Sequence, residues 1–159
     1  MLPLAQEPIA MLGFITKLVE DRAAPLKAGG IALDLKGDKS VGSITGDPRR
    51  LGRAIGHILD NAVAATPAGG RILVELSRRK SKRKDWARVV VSDNGPGMDA
   101  AGLARALGGI KLAADGKSVE RRQGLGLPLA QQLIEAHGGK FEMISEPGQG
   151  TTVLIDLPC

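Results

Sequence analysis

The chain of 159 residues contains one cysteine, two histidines and no tyrosine, and its aromatic rings are Phe14, Trp86 and Phe141. A lone Cys159 at the last position excludes a disulfide framework and a thiolate zinc site. His57 and His137 are too few for a histidine-rich metal centre. No uninterrupted apolar run approaches the ~20 residues that span a bilayer, and no basic-then-apolar signal pattern opens the chain. These absences predict a reduced, cytoplasmic domain with no membrane contact of its own. The shortage of rings also excludes an ordinary nucleic-acid surface, which mixes positive charge with stacking platforms.

What is present is the composition of a folded domain. Hydrophobic residues make up 43% and charged residues 25%, and the length fits one domain with a real core. The formal net charge is +5, from 22 Lys and Arg against 17 Asp and Glu. Six of the basic residues fall in Arg78-Arg79-Lys80-Ser81-Lys82-Arg83-Lys84; without them 16 face 17 and the balance is −1. The basic character is one local feature, predicted to be a disordered hairpin tip.

Residues 1–7 read as a linker or an added start, and residues 8–159 as one domain without internal repeats. Ile9, Leu12, Ile15, Thr16 and Val19 recur at helical spacing, which predicts a helix from Pro8 to about Lys27, closed by Gly29-Gly30. Alternation predicts strands over 31–35 and 41–45. Asp47-Pro48 is an N-cap followed by proline at the first helical position, so a second helix runs to about Ala65. Strands are predicted at 71–77 and 86–92, a helix at 125–136, and a last hairpin from strands 140–145 and 151–157.

Three patterns carry candidate chemistry. His57 and Asn61 stand four apart on the second helix and share a face. An amide oxygen is a hard ligand suited to Mg²⁺ that also carries phosphate oxygens; the plain alternative is two polar residues on a half-buried helix. Asp93-Asn94-Gly95-Pro96-Gly97 follows the buried run Val89-Val90-Val91, and its glycines admit a close backbone approach. The alternative there is an Asp-initiated turn. Gly124-Leu125-Gly126-Leu127 opens a helix whose free amides suit phosphate, or it is a tightly packed helix start. It is neither a Rossmann fingerprint nor a P-loop.

Taken in order, the asparagine helix, Asp-x-Gly-x-Gly, a glycine-punctuated segment and Gly-Leu-Gly-Leu resemble the ATP-binding domain of sensor histidine kinases. That family belongs to a wider group with gyrase, Hsp90 and MutL. GDPRRLGRAIGHILDNAVAATPAGG and GLGLPLAQQLIEAHGGKFEMISEPGQGTTVLIDLP carry the resemblance, which covers Ile9 to Pro158. It implies an α/β two-layer sandwich, a mixed sheet of about five strands with about three helices on one face.

The resemblance also implies ATP and Mg²⁺ as cofactors. Asp93 would accept from the adenine amino group, Gly95 and Gly97 would let the purine approach, and Thr151 would lie near it through water. Asn61 would hold Mg²⁺, with His57 beside it at the catalytic end. Gly124, Leu125, Gly126 and Leu127 would shape the phosphate end, below a lid from about Met98 to Gln123. His137 would be a structural residue at a helix end. The γ-phosphate would pass to a histidine on a dimerisation domain of the same protein, absent from this sequence, and onward to a response regulator or other signalling protein.

The sequence departs from the family in places. Ala64 stands where a basic residue often faces the phosphates, Ala106-Leu107-Gly108-Gly109-Ile110 replaces a phenylalanine-bearing segment, and Arg122-Gln123 precedes the Gly-Leu-Gly-Leu run. Lys111, Lys117, Arg121 and Arg122 offer compensating charge. These departures are similar to those of atypical alphaproteobacterial kinases of the DivL type. Two other readings therefore stand beside the kinase: a catalytically weak signalling scaffold, and an anti-sigma-factor-like serine kinase.

Overall fold

A computed structural model describes residues 3–99, 101–102 and 126–159. Strand β1 (Glu7–Ala10) leads into helix α1 (Met11–Ala28), then β2 (Ala32–Gly37), a single 3₁₀ turn (Lys39–Val41) and β3 (Ser43–Gly46). Helix α2 (Pro48–Ala65) is followed by the long strands β4 (Arg71–Ser81) and β5 (Lys84–Asp93). Helix α3 (Gly126–Ala136), β6 (Lys140–Glu146) and β7 (Gly150–Pro158) complete the described chain.

The main sheet has the order β2-β4-β5-β7-β6, with β2 parallel to β4 and every other pair antiparallel. It is the mixed five-stranded sheet expected, with three helices among the described residues. Strand alternation sorts its side chains. Ile72, Val74 and Leu76 of β4, Ala87, Val89 and Val91 of β5, and Val153, Ile155 and Leu157 of β7 are buried on one face. Against that face α2 packs Leu51, Ile55, Ile58 and Leu59, and α3 packs Leu127, Ala130 and Ile134. Burying large aliphatic side chains of this kind stabilises by about 1.5–3 kcal/mol each, before ordering costs.

Helix α2 starts as its sequence requires. Asp47 Oδ1 accepts from the Arg50 N–H at 3.1 Å, Pro48 follows, and Oδ2 accepts from the Ala5 N–H at 3.1 Å. Those two amides, the Ala5 bond first, hold the Asp47 carboxyl below the usual carboxylate range. His137 joins the same knot: its Nε2 accepts from the Asp47 N–H at 3.1 Å. Its Nδ1–H then donates to the Leu133 carbonyl at 2.7 Å, which fixes the neutral tautomer. His137 therefore links the ends of α2 and α3, the structural part expected of it.

Two expectations are corrected. The helical spacing from Pro8 does not begin the helix there, because residues 7–10 pair antiparallel with β3, Ile9 opposite Ile44. Ile9 is buried in that two-stranded sheet, and α1 starts at Met11. Pro8 carries no N–H, so a short edge strand suits it. The basic run, in turn, is no disordered tip. Arg78, Arg79, Lys80 and Ser81 continue the ladder opposite Ala87, Trp86, Asp85 and Lys84. The turn is only Lys82-Arg83, with φ of 52° and 65°. Arg78 pairs with Asp85 across the strands, and Lys84 Nζ lies 4.8 Å from the Trp86 ring centroid. Cross-strand pairs of this kind extend a hairpin even where the charge is high.

Two consecutive left-handed residues with side chains cost about 1–2 kcal/mol each, and Asn-Gly suits such a turn. Replacing Lys82 by Asn and Arg83 by Gly is expected to raise stability by about 1–2 kcal/mol. A higher urea midpoint at unchanged slope checks it.

Candidate functional site

The centre of the sheet ends where two neighbours crowd it. β5 closes at Asp93, directly opposite Thr151 of β7. Asp93 Oδ1 accepts from the Gly95 N–H at 2.9 Å and the Thr151 N–H at 3.3 Å. Its Oδ2 accepts no hydrogen bond among the described residues. Burial pushes the half-buried Asp93 carboxyl above its ordinary value, and the two amides only partly oppose the shift. The result is a carboxylate of fixed orientation with one oxygen left over.

Asn94 extends the pairing by one residue, with its Oδ1 accepting from the Arg71 N–H at 2.8 Å and its N–H donating to the Arg71 carbonyl. Gly95 then passes the end of α2, where an added Cβ would lie 2.3 Å from the Ala65 carbonyl oxygen. Gly97 has φ of +70°, and a Cβ there would meet the Glu146 carbonyl oxygen at 1.9 Å. Protein backbone thus already requires both glycines. Any ligand contact comes in addition.

Ser145 holds the segment on its far side. Its hydroxyl accepts from the Met98 N–H at 2.8 Å and donates to the Gly150 carbonyl at 3.1 Å. Thr151 Oγ1 lies 2.8 Å from the same hydroxyl, so with the serine proton committed to Gly150 it is the threonine that donates. Sequence reasoning missed Ser145. The available signal was parity: it follows Phe141 and Met143 on the inward side of β6, where a hydroxyl needs a partner.

A depression of about 590 Å³ opens between the end of α2 and this segment, lined by Ala64, Thr66, Pro67, Asn94, Gly95 and Gly148 among others. Its lining does not include Asp93, Asn61, His57 or Thr151. Asn61 and His57 are half-buried one turn apart on α2, and neither side chain makes a hydrogen bond among the described residues. Ala64 is exposed at the rim. Leu127 is buried at 4%, so its side chain serves the core. Gly126 begins α3, whereas Gly124, Leu125 and nearly all of the expected lid lie outside the described residues. Among the described residues no cluster of three or more His, Cys, Asp or Glu is placed to hold a metal.

Residues 46–159 match the family model described as histidine kinase-, DNA gyrase B- and HSP90-like ATPase. The chain belongs to that family. Its members bind ATP, and the relatives this chain matches include sensory and histidine kinases. It is 34% identical over 155 residues to the sensor protein DivL of Caulobacter vibrioides, covering 96% of this chain and 19% of that protein. To the adaptive-response sensory kinase SasA of Synechococcus elongatus it is 32% identical, covering 79% of this chain and 31% of that one. Among solved structures it superimposes on the mycobacterial sensor histidine kinase MprB with a TM-score of 0.73 at 26% identity, covering 97% of each chain. Full-length ShkA in complex with AMPPNP shares the fold at a TM-score of 0.77 and 24% identity, covering 99% of this chain and 32% of that one. The chain spans less than a third of these curated relatives' length. They do not favour the scaffold or the serine kinase.

Ser145 is expected to hold the Asp93-to-Met98 segment in place. Ser145→Ala should cost about 1–3 kcal/mol, because it orphans the Met98 N–H and the Thr151 hydroxyl. Amide hydrogen exchange should speed up at Met98 before it does in the core strands, and Ser145→Thr should restore slow exchange.

Proposed function

We propose that this chain is the ATP-binding catalytic domain of a two-component sensor histidine kinase, with adenine held at Asp93. The γ-phosphate goes to a histidine on a dimerisation domain of the same protein, and from there to a response regulator. The observation that carries the reading is the Asp93 carboxylate, oriented by two amides on Oδ1 and left with Oδ2 unpartnered among the described residues. An adenine amino group is the donor that such an acceptor fits. Its neighbour Thr151, held by Ser145, keeps acceptor capacity for a bridging water.

Asn61 fits the hard-oxygen ligand that Mg²⁺ requires, since its amide is half-buried and uncommitted among the described residues. The metal would supply charge neutralisation to the triphosphate, the main demand of phosphoryl transfer. His57, one turn earlier on α2, stands on the same side as Asn61 and is assigned to the catalytic end. Gly124, Leu125, Gly126 and Leu127 are assigned to the phosphate end through their backbone, and Gly95 and Gly97 to the adenine side. The domain works in the cytoplasm in this reading; no helix among the described residues is long and apolar enough to cross a membrane.

Titration calorimetry with Mg-ADP tests the assignment. Asp93→Ala removes a hydrogen bond to a charged acceptor, a loss of about 1.5–3 kcal/mol, so affinity should fall tenfold or more. Unchanged affinity would overturn the role of Asp93.

The pH dependence follows from the raised carboxyl. Acceptance requires the carboxylate, so ADP affinity should fall with decreasing pH through a value above the ordinary 3.8, and Asp93→Asn should flatten the profile. For stability the sign is opposite. Between 3.8 and the raised value the native state holds the proton more tightly, so this group's contribution declines as pH rises through that window.

A further inference from the structure

The ATP reading leaves the basic hairpin unused, and strand alternation divides it between the two faces of the sheet. Arg78 points to the helix side, where it pairs with Asp85 and reaches the Ser40 carbonyl. Arg79 and Ser81 lie opposite Trp86 and Lys84 on the other face. Among the described residues that face is open: every buried side chain of the main sheet except Trp86 lies on the helix side. Trp86 is only 9% exposed because Lys84 and Lys140 cover it, with their ammonium groups 4.8 and 4.9 Å from the ring centroid.

A cavity of about 490 Å³ opens at this place, lined by Arg79, Ser81, Trp86, Lys140, Glu142 and Leu154 beside the Arg88–Asp156 pair. Arg88 and Asp156 neutralise each other through two bonds of 2.8 and 2.9 Å. Arg79, Lys84 and Lys140 have no carboxylate partner among the described residues. Arg79, Lys84 and Lys140, the two lysines lying over the Trp86 ring, therefore stand without a carboxylate partner around Leu154, with Glu142 beside them. The face continues along β6 to Ile144, which is 51% exposed.

We propose that this open face docks a protein partner through an extended acidic segment whose carboxylates alternate with apolar residues. Charge complementarity selects the carboxylates, and Leu154, with the exposed Ile144 further along β6, selects the apolar residues between them. Nucleic acid is disfavoured because the ring of Trp86 lies under two ammonium groups and offers no face to stack on. A membrane is disfavoured because one exposed large apolar side chain on a flat sheet makes no insertion surface. The surface is separate from Asp93 and does not depend on nucleotide.

The probe is a short fluorescein-labelled peptide alternating Glu with Leu and Ser, titrated with the chain by fluorescence polarisation. Saturable binding that weakens with salt is expected. It should fall about tenfold when Arg79→Gln and Lys140→Gln are combined, because charged contacts at an interface act together. Lys82→Gln with Arg83→Gln at the turn should cost under about threefold, since screening weakens a more distant charge. Asp93→Ala should bind the peptide as the wild type does. If the Gln pair lowers the melting midpoint, Lys84→Gln alone, on an exposed position, must still weaken binding. Failure to bind, an equal loss from the turn variant, or tighter binding of a thymidine oligonucleotide or of phosphatidylserine vesicles at the same ionic strength would overturn the proposal.

Discussion

Crowding of backbone at the end of β5 is the constraint around which the site is arranged. The chain leaves the central strand at Asp93 and passes the last turn of α2 on one side and the β6–β7 connection on the other. Carbonyl oxygens of Ala65 and Glu146 fill the space where side chains at residues 95 and 97 would stand. The Gly148 N–H closes on the Pro96 carbonyl, and Ser145 takes the Met98 N–H. A segment gripped this way cannot swing, so the Asp93 carboxylate it bonds is held in orientation without help from a ligand. Preorganisation of that kind spares a ligand the cost of ordering its own acceptor.

The other pole of the domain is tied by a second knot. Asp47 takes amides from Ala5 and Arg50, and gives its own N–H to His137. One carboxylate and one imidazole thereby connect the incoming chain, the start of α2 and the end of α3. Helix α3 begins at Gly126, within the motif proposed for the phosphate end, and α2 carries Asn61. The linkage is short, and its donors are backbone amides of Ala5, Asp47 and Arg50. It also explains why His137, a titratable residue in a kinase-like chain, is committed to architecture.

The two faces of the sheet have separate economies. The helix side is aliphatic and nearly closed to water, while the open side is a field of charges on a thin apolar floor. Lys84 and Lys140 shield Trp86 there instead of pairing with carboxylates. Positive charge on an edge-rich hairpin also guards against pairing with another sheet. The position of the charge, beside a cavity and not merely at the tip, is what makes it a surface for recognition.

Much of the fold was legible because it rests on local chemistry. The N-cap at Asp47, the alternation of Val89, Val91, Val153 and Ile155, and the ordered motifs were enough to state the architecture and the family resemblance. Within the site, the sequence itself marked Asp93, Asn61, Gly95 and Gly97 as candidates, and the family resemblance added Thr151. Ser145 escaped notice because its importance lies in joining two near neighbours, Gly150 and Thr151, to Met98, 47 residues away in sequence. Ile9 was misread for a related reason: its spacing suits a helix, yet pairing with Ile44 in β3 overrides local preference by burying it. The basic run was misread because like charges predict a loop only when nothing pairs them, and Asp85 and Trp86 do. Residue types and periodicity therefore determined the class of domain and its motifs. Which oxygen of Asp93 is committed, what crowds Gly95 and Gly97, and where the basic charge points were decided by tertiary contacts, since each depends on backbone groups that meet only after the sheet is assembled.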